Sequence, residues 1–290
     1  MSWQFSILLF FVFSVMQSLQ RRKYSQISKL PSKVVPALAY LTGVLPLGII
    51  VGLGTRNVQV NWSGTTVPVL LIMGLFIGVF NWLAFVASKK LTVATFQTIF
   101  QIYAVTAVIG GWLLLDETLD SQQVFGSVLL IIGAVLAAQA YKAKVKSKFI
   151  GSAAFIGVIA SVSLGLGIIA EKASLGKMTL GAYFIFGYFI QTLSICIIGM
   201  VQLKKLDWSS VKKYDWKNIV YLGILDSLVG FFYIYAINTS DNVGLVSVTT
   251  TFQMPLTAVA GYFILKEKEV GWKLALGVVI AFIGLVVTAI

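Results

Sequence analysis

The sequence predicts an all-α polytopic membrane protein whose ten transmembrane helices form two inverted five-helix repeats. Three observations lead to this fold class: long uncharged stretches, basic residues concentrated in alternate loops, and matching segments about 150 residues apart. The composition agrees, because 58% of the residues are hydrophobic and 11% are charged. Soluble domains carry about 25% charged residues, so no soluble domain is expected.

The uncharged stretches define the predicted spans. Nine stretches of at least 17 residues contain no charge, and a tenth, 218–240, is interrupted by Asp226 alone. A helix needs about 20 mostly apolar residues to cross the hydrocarbon core, where its backbone polar groups must be satisfied within the helix. The predicted spans are 2–20, 34–54, 67–88, 91–115, 121–141, 149–170, 179–203, 217–238, 242–265 and 272–290.

The loop charges predict the orientation. Of the 22 Lys and Arg residues, 19 fall in the odd-numbered loops, counting Lys217 and Lys273 at the adjoining span ends, and three fall in the even-numbered loops. Because cytoplasmic loops are enriched in Lys and Arg, we predict cytoplasmic odd loops and two non-cytoplasmic termini in a multi-pass protein of the cell (plasma) membrane. Residues 1–20 lack a basic n-region and a small-residue cleavage site, so we expect a retained first helix and no cleaved signal. The basic cluster that follows this helix favours a non-cytoplasmic N-terminus. Topology and lipid head groups explain the net charge of +12, and no nucleic-acid partner is expected.

Segments of the two halves match in the same order. Residues 98–101 (TIFQ) resemble 250–253 (TTFQ), and 111–117 (GWLLLDE) resemble 261–267 (GYFILKE), at separations of 152 and 150 residues. The basic loops also exchange places between the halves, as two units inserted in opposite senses require. The predicted organisation is a first repeat at 1–141, a basic cytoplasmic linker at 142–148 and a second repeat at 149–290.

Each half has a fourth helix, a short loop with an acidic residue (Glu117 or Glu267) and a glycine-bearing helix that closes it. In a chain of ten predicted helices, this pattern resembles the drug/metabolite transporter superfamily, specifically its EamA-type transporters. The resemblance implies the fold and the transport of small solutes such as amino acids, sugars, nucleotide sugars or drugs, by export in many members. Many relatives keep both termini in the cytoplasm, whereas the loop charges here predict the opposite.

Asp226 is the outstanding candidate for a site residue. It lies near the middle of a predicted span, where a charge costs at least about 2.5–3.5 kcal/mol on insertion scales, so it should face a cavity or a partner. Gly230 and Tyr233 follow on the same helix face. We expect Asp226 to accept a proton or to contact a cationic group of a substrate. The alternative is a protonated structural Asp that bonds a hydroxyl group of a neighbouring helix.

Polar stripes mark the spans 91–115 and 242–265, which are equivalent in the two repeats. Such stripes face each other across the pseudo-twofold axis, where repeat-built transporters bind solute. Interhelical hydrogen bonds of about 0.6 kcal/mol each are an equal alternative for the Gln and Thr residues, and packing or lipid contact is the alternative for the aromatic ones. The predicted substrate-binding residues are Asp226, Tyr233, Asn81, Trp82, Gln97, Gln101, Tyr103, Thr250, Gln253 and Thr257.

These features predict a secondary transporter of a small amino-acid-like, sugar-like or drug-like solute that works by alternating access. Proton coupling through Asp226 is an open option. The sequence contains no GxxxxGK[ST] nucleotide loop, so direct use of ATP is not expected. A flippase for a lipid-linked sugar is the alternative. An intramembrane lipid-modifying enzyme is disfavoured, because the chain has no His and a single Cys, Cys196.

The remaining expectations concern partners and charge. We expect a small-molecule substrate, the lipid bilayer and, as an option, protons as partners, with no cofactor or metal and with a monomer or homodimer as the assembly. With one acid and no Lys or Arg predicted at its depth, the interior favours neutral or cationic solutes. Glu171 ends a predicted span beside Lys172, and we interpret the two as a surface ion pair.

Overall fold

The computed structural model describes residues 2–117, 148–240, 242–266 and 272–289, with separate positions between 121 and 136. In this part of the chain, eight helices are long and apolar enough to cross a membrane. The last predicted span contributes a shorter apolar segment, Ala275–Gly284. Much of the predicted span 121–141, the linker 142–147 and Glu267 lie outside the described residues.

The helices begin and end within about five residues of the predicted spans, except that the first continues further at its end. Several start at a polar cap: the side chains of Thr92, Thr179 and Asn242 accept a hydrogen bond from the backbone N–H three residues further on. The helices are α1 (Trp3–Ile27), α2 (Val34–Gly54), α3 (Thr66–Lys90), α4 (Val93–Leu114), α5 (Lys148–Leu175), α6 (Leu180–Lys204), α7 (Lys213–Thr239), α8 (Val243–Ile264) and α9 (Trp272–Ala289).

The exception is α1, which continues seven residues beyond the predicted boundary at 20 and ends at Ile27. The basic cluster that was predicted as the first loop is therefore helical, and the side chains of Arg21 and Arg22 are buried. Contacts with other helices explain the extra turns, since Arg22 Nη1 donates to the Ser88 carbonyl of α3 at 2.7 Å. Buried arginine stems and satisfied guanidinium groups let a charged segment remain inside the bundle.

Three helix ends meet at one face of the bundle. Arg22 at the end of α1 contacts Ser88 at the end of α3, and the Tyr24 hydroxyl donates to Asp215 at the start of α7 at 2.9 Å. The loops and adjoining helix ends of this face are rich in Lys and Arg, as the alternation of loop charges predicted. This face, the basic face, comprises the loops 28–33, 91–92 and 205–212.

The opposite face brings the intervening loops together. The loop 55–65 pairs with the loop 176–179, where Asn61 N donates to the Lys177 carbonyl at 2.8 Å. Lys172, near the end of α5, donates to the carbonyl of Ser240 at 2.8 Å. The sides on which these loops lie therefore follow the alternation read from the sequence.

The second helices of the two repeats, α2 and α6, pack antiparallel. Their backbones approach closely because glycines on α2 have no side chain. A Cβ atom at Gly48 would lie only 2.6 Å from the Phe184 carbonyl oxygen, and one at Gly52 only 2.7 Å from that of Gly181. Each of these helices contains a π-helical turn, at Tyr40–Val44 and at Tyr183–Gly187. Such turns are frequent at functional sites, and the first residue of each is a buried tyrosine.

The fourth helices of the two repeats, α4 and α8, are interrupted at equivalent positions. The first consists of Val93–Phe100 and Ile102–Leu114, and the second of Val243–Thr250 and Gln253–Ile264. In α8 the break precedes Pro255, which has no N–H to continue the helical ladder. Irregular backbone at this depth is tolerated where it is buried in protein or lines a cavity.

Glu117, the acidic loop residue of the first repeat, caps the N-terminus of α8 in the second repeat. Its carboxylate accepts hydrogen bonds from the backbone N–H groups of Val243, at 2.9 Å, and Gly244, at 3.4 Å. These are first-turn N–H groups of α8, which have no partner within the helix. A negative charge also suits the positive end of the helix dipole.

Candidate functional site

A cavity lies about halfway along the helices, with walls from α1 to α8. Its empty volume, including open space at its mouth, is about 740 Å³. Aromatic and aliphatic side chains form most of the wall, and the polar ones converge at separate places. The residues with polar groups in the wall are Gln17, Tyr40, Asn81, Tyr103, Glu171, Tyr188, Gln191, Asp226, Tyr233 and Gln253.

The first polar group, the ion-pair cluster, consists of Gln17, Arg21, Tyr40, Asn81 and Asp226. Arg21 Nη2 lies 3.0 Å from Asp226 Oδ1, and Gln17 Nε2 donates to the same oxygen at 2.5 Å. Asn81 Nδ2 donates to the Tyr40 hydroxyl at 2.9 Å, and Asn81 Oδ1 accepts from Arg21 Nη2 at 3.5 Å. The two charged side chains are 8% and 5% exposed. The ion pair therefore balances the intramembrane acid within the protein.

Arg21 is the site residue that sequence reasoning missed, and the expectation of an interior without a cation is wrong. Its guanidinium reaches Asp226 because α1 stays helical to Ile27 and brings the side chain inside the bundle. One signal in the sequence points to it. Gln17 and Arg21 are four residues apart, a spacing that places both on one face of a helix.

The second polar group, the Glu171 cluster, consists of Met73, Glu171, Tyr183 and Gln191. The Tyr183 hydroxyl donates to Glu171 Oε1 at 2.7 Å, and Gln191 Nε2 donates to the same oxygen at 3.0 Å. Glu171 is 6% exposed, and no cation among the described residues lies within 4.0 Å of its carboxylate. Lys172 instead donates to backbone carbonyls at the end of α7. The interpretation of Glu171 and Lys172 as a surface ion pair is therefore wrong.

The two clusters lie at different depths. Met73, in the Glu171 cluster, has its sulfur 3.4 Å from the Tyr183 hydroxyl, whereas Asn81 belongs to the ion-pair cluster. Both residues are on α3, eight positions apart. At ~1.5 Å per residue the clusters are separated by about 12 Å along the helix axis. The Glu171 cluster is the nearer of the two to the opposite face, because Glu171 and Tyr183 flank the loop 176–179.

Hydrogen bonds that two tyrosines, one from each repeat, make with α8 form the third polar region of the wall. The Tyr103 hydroxyl lies 2.7 Å from Thr250 Oγ1, and the Tyr233 hydroxyl lies 2.8 Å from Ser247 Oγ. Tyr103, Tyr233 and Gln253 line the cavity, while Thr250 is buried behind Tyr103. The structure thus brings five of the predicted site residues to one cavity wall: Asn81, Tyr103, Asp226, Tyr233 and Gln253.

Four other predicted residues do not line this cavity. Gln101 and Thr257 bond to carbonyls of their own helices, at 2.7 Å in each case. Gln97 donates to Ser18 Oγ at 2.6 Å and lines a second cavity. Trp82 lies outside both cavities, with the Lys33 ammonium 4.0 Å from the centroid of its ring.

The second cavity is smaller, with an empty volume of about 430 Å³, and extends toward the basic face as far as the loop 91–92. Arg21 lines it, whereas Asp226 lines the large cavity. The rings of Phe80 and Phe100 border both cavities and stack with centroids 5.6 Å apart. The Arg21–Asp226 pair and these two rings, here called the separating layer, stand between the cavities.

In the part of the chain that the structure describes, no group of three or more His, Cys, Asp or Glu residues is placed to hold a metal ion. The polar groups of the large cavity are hydrogen-bond donors and acceptors and two carboxylates, one of which is paired with the Arg21 guanidinium of the separating layer. Such groups can recognise a polar solute and exchange a proton.

Comparisons with known proteins agree with this architecture. The sequence model of the EamA-like transporter family matches residues 1–139 and, separately, residues 151–290. A solved structure, titled only as the crystal structure of a protein, is similar with a TM-score of 0.70 and 18% identity, covering 99% of this chain and 98% of its own. At that identity the likeness shows the fold alone. No curated protein matches the sequence.

Proposed function

Because the chain belongs to the EamA-like transporter family, we propose that it is a secondary transporter of a small amino-acid-like, sugar-like or drug-like solute across the cell membrane. The observation that carries the proposal is the cavity of about 740 Å³ halfway along the helices, with convergent polar groups in an aromatic wall. The solute leaves chemically unchanged, and the basic face is cytoplasmic.

Alternating access through the separating layer is the proposed mechanism. The large cavity extends toward the opposite face and the small cavity toward the basic face, with Arg21, Asp226 and two stacked rings between them. Rocking of the two repeats about this layer opens the path on one side as it closes the path on the other. The breaks in α4 and α8 supply places where each fourth helix can bend.

The ion pair links solute binding to this movement. A solute carboxylate competes with Asp226 for Arg21, and a solute ammonium group competes with Arg21 for Asp226. Either exchange breaks the 3.0 Å contact that closes the layer. A solute that binds the open state better than the closed state shifts the population between them. Because Asp226 is paired with the Arg21 guanidinium, the role that we assign to Asp226 is the contact that closes the layer. Proton coupling through Asp226 stays a prediction.

The test begins with a metabolite panel screened by thermal shift on purified protein, since a ligand that binds the folded state raises its apparent stability. Compounds that bind are then followed into proteoliposomes. We expect Asp226→Asn to lower the flux of such a compound at least about tenfold, a difference of 1.4 kcal/mol in free energy. Asp207→Asn is the matched control, because Asp207 is exposed on the basic face.

Two outcomes contradict the proposal. Wild-type flux in Asp226→Asn would remove Asp226 from the transport path and reduce it to a structural partner of Arg21. Transfer of a lipid-linked sugar between leaflets, with no flux of any soluble compound that binds, would establish the flippase alternative in its place.

A further inference from the structure

The Glu171 cluster places a second buried carboxylate in the cavity wall, outside the separating layer. Both hydrogen bonds that this carboxylate receives, from Tyr183 and Gln191, end on Oε1. Oε2 accepts none from the described residues. The side chain is 6% exposed and lines the large cavity. A buried acid in a transport cavity, one oxygen fixed and the other open, is an arrangement that can take up a cation.

The groups that face Glu171 do not neutralise it. From α6 it faces the phenols of Tyr183 and Tyr188, from α2 that of Tyr40, and from α7 that of Tyr233. The neighbouring helix α3 contributes the thioether of Met73.

The charged groups nearest to Glu171 are also occupied. Arg21 and Asp226 compensate each other at 3.0 Å. Lys172, the next residue along the chain, donates to the carbonyls of Ile237 and Ser240, both at 2.8 Å. A charge on Glu171 must therefore be balanced by something that enters the cavity. A proton is the smallest cation that can do so, and it needs no site beyond the one carboxylate oxygen.

We infer that Glu171 is the proton-binding residue of the transport cycle, an inference that rests on the proposed function. The proton arrives from water in the cavity and binds Oε2, while Oε1 keeps its hydrogen bonds from Tyr183 and Gln191. The carboxylate becomes a neutral carboxyl group and no other bond changes. Tyr183 lies in the π-helical turn of α6, a helix that packs closely on α2 of the other repeat. Protonation therefore acts at a contact between the two repeats.

Neutral and charged Glu171 favour different states of the cavity. Closing the cavity around an uncompensated carboxylate is costly, because the charge loses its water and gains no partner. Closing it around the neutral carboxyl group avoids that cost. The reorientation is thus tied to the binding of a proton, as coupling to a proton gradient requires.

The first experiment needs no solute. Infrared difference spectra of the protein in lipid vesicles, recorded while the pH is lowered, detect the C=O stretch of any carboxyl group that becomes protonated. A band that shifts in D₂O should be present in wild type and in Asp226→Asn, and absent in Glu171→Gln. In Tyr183→Phe the band should move, because the hydrogen bond to Oε1 is gone. A band that survives in Glu171→Gln, or that disappears in Asp226→Asn alone, would overturn the assignment.

The second experiment uses a compound that the wild type transports. In proteoliposomes, Glu171→Gln should lose accumulation driven by a pH gradient, at least about tenfold, and keep exchange of labelled for unlabelled compound. Glu117→Gln is the control, since that residue caps α8 outside the cavity. Kept exchange also proves that the variant folds. Gradient-driven accumulation by Glu171→Gln would refute the inference alone, whereas a wild type that moves no solute would refute the proposed function.

Discussion

The ion-pair cluster and the Glu171 cluster are built from similar side chains but differ in whether their carboxylate has a cationic partner. Each holds one carboxylate, at least one side-chain amide and a tyrosine. The two clusters lie about 12 Å apart along α3. In the first, Asp226 has Arg21 at 3.0 Å, so the cluster is neutral as a whole. In the second, Glu171 has only uncharged donors among the described residues. The first is a contact to be broken or kept, whereas the second is a charge to be added or removed.

This difference teaches that burial alone does not identify the role of a membrane acid. A paired acid is costly to change, because the partner is left buried without a counter-charge. An unpaired acid that accepts only neutral hydrogen bonds tolerates an isosteric amide far better. The comparison therefore predicts a graded series of effects when each cluster is altered.

The largest effect is expected at the ion pair. Asp226→Asn leaves the Arg21 guanidinium buried without a counter-charge, so the free energy of unfolding should fall by about 3–5 kcal/mol. Chemical unfolding in detergent micelles measures it, with Asp207→Asn as the exposed control. The double variant Arg21→Gln/Asp226→Asn should recover part of the loss, because both charges are then gone. A double variant as unstable as both single losses combined would show that the pair is not coupled.

An intermediate effect is expected from the donor to Glu171. Tyr183→Phe removes a hydrogen bond of 2.7 Å and leaves Oε1 with Gln191 as its donor. Loss of one partner of a buried polar group costs about 1–3 kcal/mol, which the same unfolding assay can resolve. Tyr214→Phe is the matched control, since the Tyr214 side chain is 53% exposed. Equal losses at the two tyrosines would mean that the Tyr183 hydroxyl carries no special contact.

A small effect on stability is expected at Glu171 itself. In Glu171→Gln the amide oxygen can accept the hydrogen bonds that Oε1 accepts now, so unfolding should change by no more than about 1 kcal/mol. Measuring the free energy of unfolding of Glu171→Gln and of Asp226→Asn in the same assay is the most direct test of the difference between the two clusters. If both variants lost the same stability, the two carboxylates would not differ in the way that their partners imply.

The smallest effect is expected outside both cavities. Trp82→Phe keeps an aromatic face for the Lys33 ammonium, which lies 4.0 Å from the ring centroid. Flux of a transported compound should stay within about twofold of wild type, since surface changes away from special features alter stability by roughly 0.5 kcal/mol or less. A large loss of flux in this variant would extend the site beyond the cavity wall.

The sequence predicted the helical membrane fold, the alternation of the loops and the depth of Asp226, because each depends on hydropathy and on charge along the chain. It missed Arg21 for the same reason: a rule that ends a span at the first charge cannot tell whether the helix continues. The structure continues α1 to Ile27 and pairs the arginine with Asp226. Predicting that pair requires knowing which helices are neighbours.

Glu171 illustrates a different limit. Adjacent residues of a helix point about 100° apart, so a Glu beside a Lys in sequence need not share its surroundings. Here Glu171 faces the cavity while Lys172 reaches the end of α7. The polar stripes of α4 and α8 show a related limit, because Gln101 and Thr257 bond to their own helices and leave the wall to Tyr103 and Gln253. Which member of a stripe faces a cavity depends on the local path of the broken helices.

The hydrogen bonds from Val243 and Gly244 to Glu117 carry a consequence for how the chain assembles. An acid from the first half caps a helix of the second, so the second half does not hold all the parts of its own structure. The first turn of α8 therefore has its capping group only when the first half is present. We therefore regard the second repeat as dependent on the first for its stability during synthesis, and not as an independent domain.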